Sequence, residues 1–317
     1  MGGFSSILVA GGAGFIGSHI VDRLIEQDIE VVVLDSLYSG KMENLANHKG
    51  NKNYQFVRGD IRNHRTVKRV IKDVDAVFNE AAIVGIPRST ENPILANDVN
   101  VGGTLALLEA CLESNVTRFV QASSASIYGD TETLPIEETF CPNPVSPYAV
   151  AELASENYAR VFHSIYGLET VCLRYFNVYG PRQSPNVHSG VIPIFMSQLI
   201  DNKQPTIFGN GKQTRDFVYV EDVVEANMLA ITKKKAAGET FNIATGVPSS
   251  LNDLARNLQN EMTKQHLKPI YKPSRKGDVR FSYASIEKAR RVLGYEPRYD
   301  LRRGIAKLCK WFMESRR

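Results

Sequence analysis

Over the first 176 residues, short apolar runs alternate with longer stretches in which apolar residues recur every three or four positions. The runs SSILVAG (5–11), EVVVLD (30–35), YQFVRGD (54–60), AVFNEAA (76–82), RFVQASS (118–124) and ETVCLRYF (169–176) are of strand length and end in turn-forming or polar residues. Helical periodicity runs from Phe15 to about Gln27 and recurs near 64–72, 93–114 and 147–166. Apolar strands separated by helices predict a parallel sheet covered on both faces, hence a doubly wound α/β domain. After about residue 177 the regularity breaks. NVYGPRQSPNVHSG (177–190) reads as a long loop, and the pieces that follow, down to LRRGIAKLCKWFMES, are too short to fold alone. The expected division is a main domain over 1–176 and a smaller lobe over 177–317, with some segments of the second returning to the first.

Composition removes several function classes without naming one. Apolar residues make up 43% of the 317, enough for a core and too many for a disordered chain. The net charge of +4 is dispersed, and no long basic run or zinc-finger spacing points to nucleic acid. No run approaches the roughly 18 apolar residues of a membrane helix. The opening MGGFSSILVAGGAGFIG lacks a basic leader and is interrupted by glycines, unlike a signal peptide. Cys111, Cys141, Cys172 and Cys309 form no CxxC pair, so free thiols in a reducing cytoplasm are expected.

The first chemical signal is ILVAGGAGFIGSHIV, with Gly11, Gly14 and Gly17 between a predicted strand and helix. In such a loop the first glycine makes the tight turn. The second lets the backbone approach a pyrophosphate, which then faces the free N–H groups of the helix, and the third lets helix and strand pack closely. Asp35 ends the second strand, eighteen residues after Gly17. A carboxylate there accepts both ribose hydroxyls and repels a 2′-phosphate, which favours NAD over NADP. The plain alternative is a glycine-rich turn with a surface aspartate. Asp60 and Ile61, after the third strand, fall where the adenine would lie. A Rossmann-like domain with a smaller C-terminal substrate-binding lobe is the predicted architecture.

At this point the chain resembles the extended short-chain dehydrogenase/reductase family, and within it the UDP-glucose 4-epimerases. The resemblance spans nearly the whole sequence: GGAGFIGSHIV, NVGGTLALLEAC, ASSASIYG, SPYAV, LRYFNVYGPRQ, QTRDFVYVEDV and SRKGDVRFS match its motifs in order. It implies NAD contacts from Phe15 and Ile16 in the glycine loop, from Ala81 and Ala82 in NEAA, from Asn100, and from Tyr148. It implies Tyr148 as general base and Ser124 as the hydrogen-bond partner of the sugar 4-hydroxyl. Further sugar contacts would come from Ser126 and Arg88, and Asn177, Arg215, Arg275 and Asp278 would hold UDP. It also implies a homodimer built from the helices near 93–114 and 147–166. Ordinary surface salt bridging is the alternative for Arg215 and Arg275. Related dehydratases carry Asp-Glu just after the hydroxyl residue, whereas this chain has Ala125 and Ser126. Epimerisation, which needs hydride removal, rotation of the 4-keto sugar and hydride return, fits better than elimination. Ser282 falls where a bulky residue narrows the sugar pocket in some epimerases, so N-acetylated sugars are open beside UDP-glucose and UDP-galactose. Ser282 as a plain turn residue stays equally open, as does a UDP-hexuronate substrate.

One position departs from the pattern. The family's catalytic helix carries a lysine four residues after its tyrosine, but SPYAVAELASE places Glu152 there, one turn beyond Tyr148 on the same face. No lysine occurs between Lys72 and Lys203, so a shift of register does not restore it. Asn79 is a smaller departure, standing where relatives often have His. A cation beside the tyrosine helps a phenol of ordinary pKa near 10 act as a base, and a carboxylate opposes it. Three readings are open: an active enzyme in which the cationic nicotinamide ring or Arg88 supplies the charge, a variant residue that impairs activity, or a silent protein that binds NAD and a nucleotide sugar.

Overall fold

The computed structural model describes residues 3–184, 190–274 and 279–314. Its centre is a seven-stranded, all-parallel sheet. In chain order the first strands and helices are β1 (Ser6–Ala10), α1 (Phe15–Ile25), β2 (Glu30–Asp35), β3 (Tyr54–Arg58), α2 (His64–Ile71) and β4 (Ala76–Asn79). There follow α3 (Ile86–Glu91), α4 (Pro93–Asn97), a π turn (Asp98–Gly103), α5 (Thr104–Glu113), β5 (Arg118–Ser124), α6 (Pro147–Tyr166) and β6 (Glu169–Tyr175). The second half adds β7 (Asn177–Tyr179), α7 (Val191–Ile200), β8 (Thr206–Phe208), β9 (Thr214–Tyr219), α8 (Val220–Thr232) and β10 (Thr240–Ile243). It closes with β11 (Pro248–Ser250), α9 (Leu251–Glu261), β12 (Ile270–Lys272), α10 (Glu287–Leu293) and α11 (Leu301–Glu314).

The sheet order is β10-β6-β5-β4-β1-β2-β3, so the chain reverses its direction of winding between β1 and β4. A cleft at the carboxyl ends of the strands follows from that reversal. Alternation along β1 shows why both faces are covered. Ile7 and Val9 join one buried cluster and Leu8 and Ala10 the other, all with no exposed surface.

The second half divides. Tyr179, Phe195, Leu199, Leu254 and Ile305 form a separate core for the lobe, beside a three-stranded sheet of order β11-β9-β7. Helix α8 and strand β10 return to the main domain. Val223 and Ile231 enter the core beneath the sheet, and β10 pairs in parallel with β6. Two expectations are corrected. Residues 177–179 are a strand rather than loop, because β7 pairs in parallel with β9 and its Tyr179 packs into the lobe core. The stretch 93–114 is not one regular helix: the π turn at 98–103 interrupts it, where Gly103 has no room for a side chain against Ile61.

Candidate active site

The glycine loop behaves as its spacing implies. Gly11 has φ +78°, and a β-carbon there would lie 2.7 Å from the backbone nitrogen of Ala81. At Gly17 a β-carbon would run into the Gly11 carbonyl, so only glycine lets α1 sit this close to the end of β1. Asp35 is buried, and its carboxylate accepts hydrogen bonds from the backbone N–H groups of Ala13 (2.9 Å) and Leu37 (2.7 Å). Those bonds favour the charged form, but burial outweighs them and raises its pKa. Asp35, Asp60 and Ile61 line a cavity of about 240 Å³ with Gly11, Ala81 and Ala82. Asp60 is held by Arg62, 2.7 Å away, which keeps its carboxyl below the usual range. A glycine turn facing a helix N-terminus, with a fixed carboxylate at the end of the second strand, fits a dinucleotide with free ribose hydroxyls.

A second cavity of about 400 Å³ adjoins the first across Gly11, Gly14 and Ala81. Phe15, Ile16 and Gly17 border it at one end, and Ser124, Tyr148 and Glu152 at the other. Ser124 ends β5 at the sheet's carboxyl edge. Tyr148 stands in the first turn of α6, which Ser146 caps by accepting from Ala149 N at 3.2 Å, with Pro147 as first helical residue. Ser124 and Tyr148 line the cavity together, and the Ser124 hydroxyl accepts from Ser126 N at 3.1 Å.

Glu152 lies one turn along α6 with 5% of its surface exposed. Its Oε1 accepts a 2.8 Å hydrogen bond from Asn100 Nδ2. Asn100, presented by the π turn, also joins both backbone groups of Ile83, with Oδ1 accepting from Ile83 N at 2.8 Å. Ser155 Oγ, 2.8 Å from the Asn100 carbonyl, ties α6 to that turn. Burial pushes the Glu152 pKa up to about 8, against the Asn100 hydrogen bond and with help from Glu156 and Glu80.

This changes the electrostatic argument at the departed position. Burial outweighs the Asn100 hydrogen bond and pushes Glu152 toward its neutral form. Glu152 supplies no cation beside the tyrosine, and its carboxylate form opposes ionisation of the phenol. The Tyr148 phenol is pushed above its ordinary value, first by burial and then by Glu152 and Glu80, with the Ser124 hydrogen bond opposing.

Glu80 escaped the sequence reading. It follows β4 directly and lines both cavities. Its Oε1 accepts from Tyr175 Oη at 2.8 Å, and Asn227 Nδ2 donates to the same hydroxyl at 2.8 Å. Burial pushes its pKa up to about 8 as well. The signal was a carboxylate directly after an apolar strand run, in the cleft beside the topological reversal. Asn79 just before it donates to Thr104 Oγ1 (3.0 Å) and Gln121 Oε1 (2.9 Å), and so bonds within the protein.

The residues expected to meet the sugar and nucleotide are dispersed. Arg88 lines the larger of these two cavities and stands over the Tyr38 ring, 5.9 Å from its centroid. Ser126 Oγ is enclosed and has no hydrogen-bond partner in the described structure. Asn177, Arg215 and Ser282 gather instead around the lobe's small sheet. Asn177 Nδ2 donates to the Asp216 carbonyl at 3.3 Å, and Thr214 O accepts from Arg215 Nη1 (2.8 Å) and Ser282 N (3.2 Å). Arg275 and Asp278 lie outside the described residues.

Known proteins carry the same architecture. The GDP-mannose 4,6 dehydratase family profile matches residues 8–308. A UDP-glucose 4-epimerase of Mycolicibacterium smegmatis is 38% identical over 96% of this chain and 97% of its own length. A dTDP-glucose 4,6-dehydratase of Actinoplanes is 34% identical over 98% of both. Among solved structures, Thermotoga maritima UDP-glucose 4-epimerase with UDP-glucose superposes with a TM-score of 0.92 at 40% identity, covering 98% of this chain and 100% of its own. The UDP-N-acetylglucosamine 4-epimerase of Methanobrevibacter ruminantium, in complex with UDP-N-acetylmuramic acid, gives 0.93 at 35%, over 98% and 99%. Thermus thermophilus UDP-glucose 4-epimerase in complex with NAD gives 0.88 at 36%, over 97% and 99%.

Proposed function

Since the chain belongs to the extended short-chain dehydrogenase/reductase family of NAD-using nucleotide-sugar enzymes, we propose that it is a UDP-hexose 4-epimerase. The observation that carries this is that Ser124 and Tyr148 line one cavity at the sheet's carboxyl edge, next to a turn without an acid. Elimination of water needs an acid aimed at the leaving group, and Ala125 and Ser126 supply none there. NAD held in this cleft would supply the hydride acceptor and donor for the sugar C4. Ser124 orients the 4-hydroxyl, and Tyr148 passes its proton on and back. Gly11, Gly14, Phe15, Ile16 and Gly17 hold the pyrophosphate, Asp35 the ribose, and Asp60 and Ile61 the adenine side. Asn177 and Arg215 hold UDP.

UDP-glucose/UDP-galactose and their N-acetyl forms are the substrates of this reading. The N-acetyl forms rest on the family's pattern at Ser282, which is half-buried in the lobe. A cytoplasmic setting fits the four free cysteines. A homodimer fits α6, which leaves Val150, Tyr158, Val161 and Ile165 exposed along the stripe opposite its buried face. A second reading, a silent NAD and nucleotide-sugar binder, is favoured by the raised phenol of Tyr148 with no cation beside it. Epimerisation of the four UDP-sugars and of UDP-glucuronate, assayed with added NAD, separates the two. Interconversion at C4 supports the enzyme. Retention of NAD and UDP-sugar with no turnover of any substrate supports the binder.

A further inference from the structure

Glu80 and Glu152 approach the same 400 Å³ cavity from opposite sides, one from the end of β4 and one from α6, and Tyr148 and Ser124 line it with them. Each acid has a neutral hydrogen-bond donor, Tyr175 for Glu80 and Asn100 for Glu152. Among the described residues neither forms an ion pair. The cations lining the cavity are Arg88 on α3, Lys41 before the 3₁₀ turn at 42–48, and Arg182 after β7, the last paired with Asp22 at 2.8 Å. The remaining titratable groups facing the acids are Tyr148, Tyr175 and Glu156, and Glu156 is committed to Arg174 at 2.6 Å.

We infer that Glu80 and Glu152 together form the proton store of the oxidation step, one of them ionised while the cationic nicotinamide ring stands in the cavity and protonated once hydride has neutralised that ring. The inference rests on NAD-dependent oxidation at C4 as read above. Its bookkeeping closes. The sugar C4–H bond breaks and its electron pair leaves as hydride to the ring. The 4-hydroxyl O–H bond breaks and a proton passes through Tyr148 to the carboxylate. A C=O bond is left on the sugar, and each transfer reverses on hydride return. Tyr148 serves only as conduit, because two acids and burial hold it as the phenol. An adjacent positive charge lowers a carboxyl pKa by about 1 to 3 units. That brings acids titrating near 8 below neutrality opposite the oxidised ring, and the effect ends when the ring is reduced. A lysine at 152 would hold its charge throughout, whereas this pair changes charge in step with the cofactor.

The test needs no sugar, so its failure is distinct from failure of the epimerase reading. Holoenzyme is equilibrated with defined mixtures of NAD and NADH from pH 5.5 to 9.5, and the bound nucleotides are separated and quantified. The bound NAD:NADH ratio should rise with pH, up to tenfold per unit between about 6 and 8, where one extra proton is held with the reduced form. Glu80→Gln and Glu152→Gln should each lower that slope, and the double variant should abolish it. A wild-type ratio independent of pH overturns the inference even if no variant folds. A slope unchanged in both single variants overturns it as well, since it would assign the proton to another group.

Discussion

Glu152→Gln in the cofactor-free protein isolates the energetic claim about the buried acid. Glutamine keeps the shape and the oxygen that Asn100 Nδ2 meets at 2.8 Å, and removes only the titration. The wild-type carboxyl is pushed by burial from 4.5 to about 8. Between those values the folded chain holds a proton that the unfolded chain has released, so unfolding free energy falls by about 1.4 kcal/mol per pH unit. The contribution is complete below 4.5 and is lost as pH rises through 8, a total of roughly 5 kcal/mol if the cavity stays dry. Urea unfolding from pH 5 to 9 reads it as the difference between variant and wild type, which cancels Glu80, Asp222 and the histidines. Near pH 5 the two should differ little. By pH 9 the variant should be the more stable by several kcal/mol, and by at least about 2 kcal/mol after allowance for water drawn to the ionised carboxylate. Parallel curves across the range would refute the reasoning, because they would mean that Glu152 titrates alike folded and unfolded.

Other outcomes follow from the same geometry. Tyr148→Phe should abolish C4 epimerisation and reduce NAD retention far less than turnover, read by turnover and by nucleotide released on denaturation. Arg174→Met should destabilise the fold by about 3–5 kcal/mol in urea, since it leaves Glu156 fully buried without its 2.6 Å partner, and adding Glu156→Gln should recover part of the loss. Ile165→Glu, at a site 68% exposed on the outer stripe of α6, should convert a sedimenting dimer to monomer without altering the circular dichroism of the fold.

Much of the fold was legible because parallel strands covered on both faces must be apolar throughout, and six of the seven sheet strands stood out as such runs. The seventh, TFNI (240–243), is four residues long and follows a charged segment, so nothing local marks it as a partner for β6. Strand β7 was hidden by the Pro- and Gly-rich sequence just after it. The π turn was invisible because the apolar periodicity of 93–114 runs through it without a break. At the site, spacing pointed to the glycines and Asp35, and the family resemblance to Ser124 and Tyr148. It exposed Glu152 as a departure but not its burial or its neighbouring acids, which are properties of the assembled pocket. Glu80 was missed for a related reason: a carboxylate after a strand is usually solvated, and here Tyr175 and Asn227, 95 and 147 positions further on, close over it.

The π turn at 98–103 carries one residue more than a continuous α-helix would need. Gly102 within it is exposed, and nothing lies near the place of its missing side chain. Deleting Gly102 would let α4 and α5 fuse and would rotate everything before the deletion by about 100° about the helix axis. Asn100 would swing off α6, and Glu152 would lose its 2.8 Å hydrogen bond from Asn100 Nδ2. A single residue of chain length thus sets the angular phase on which the acid's partner depends.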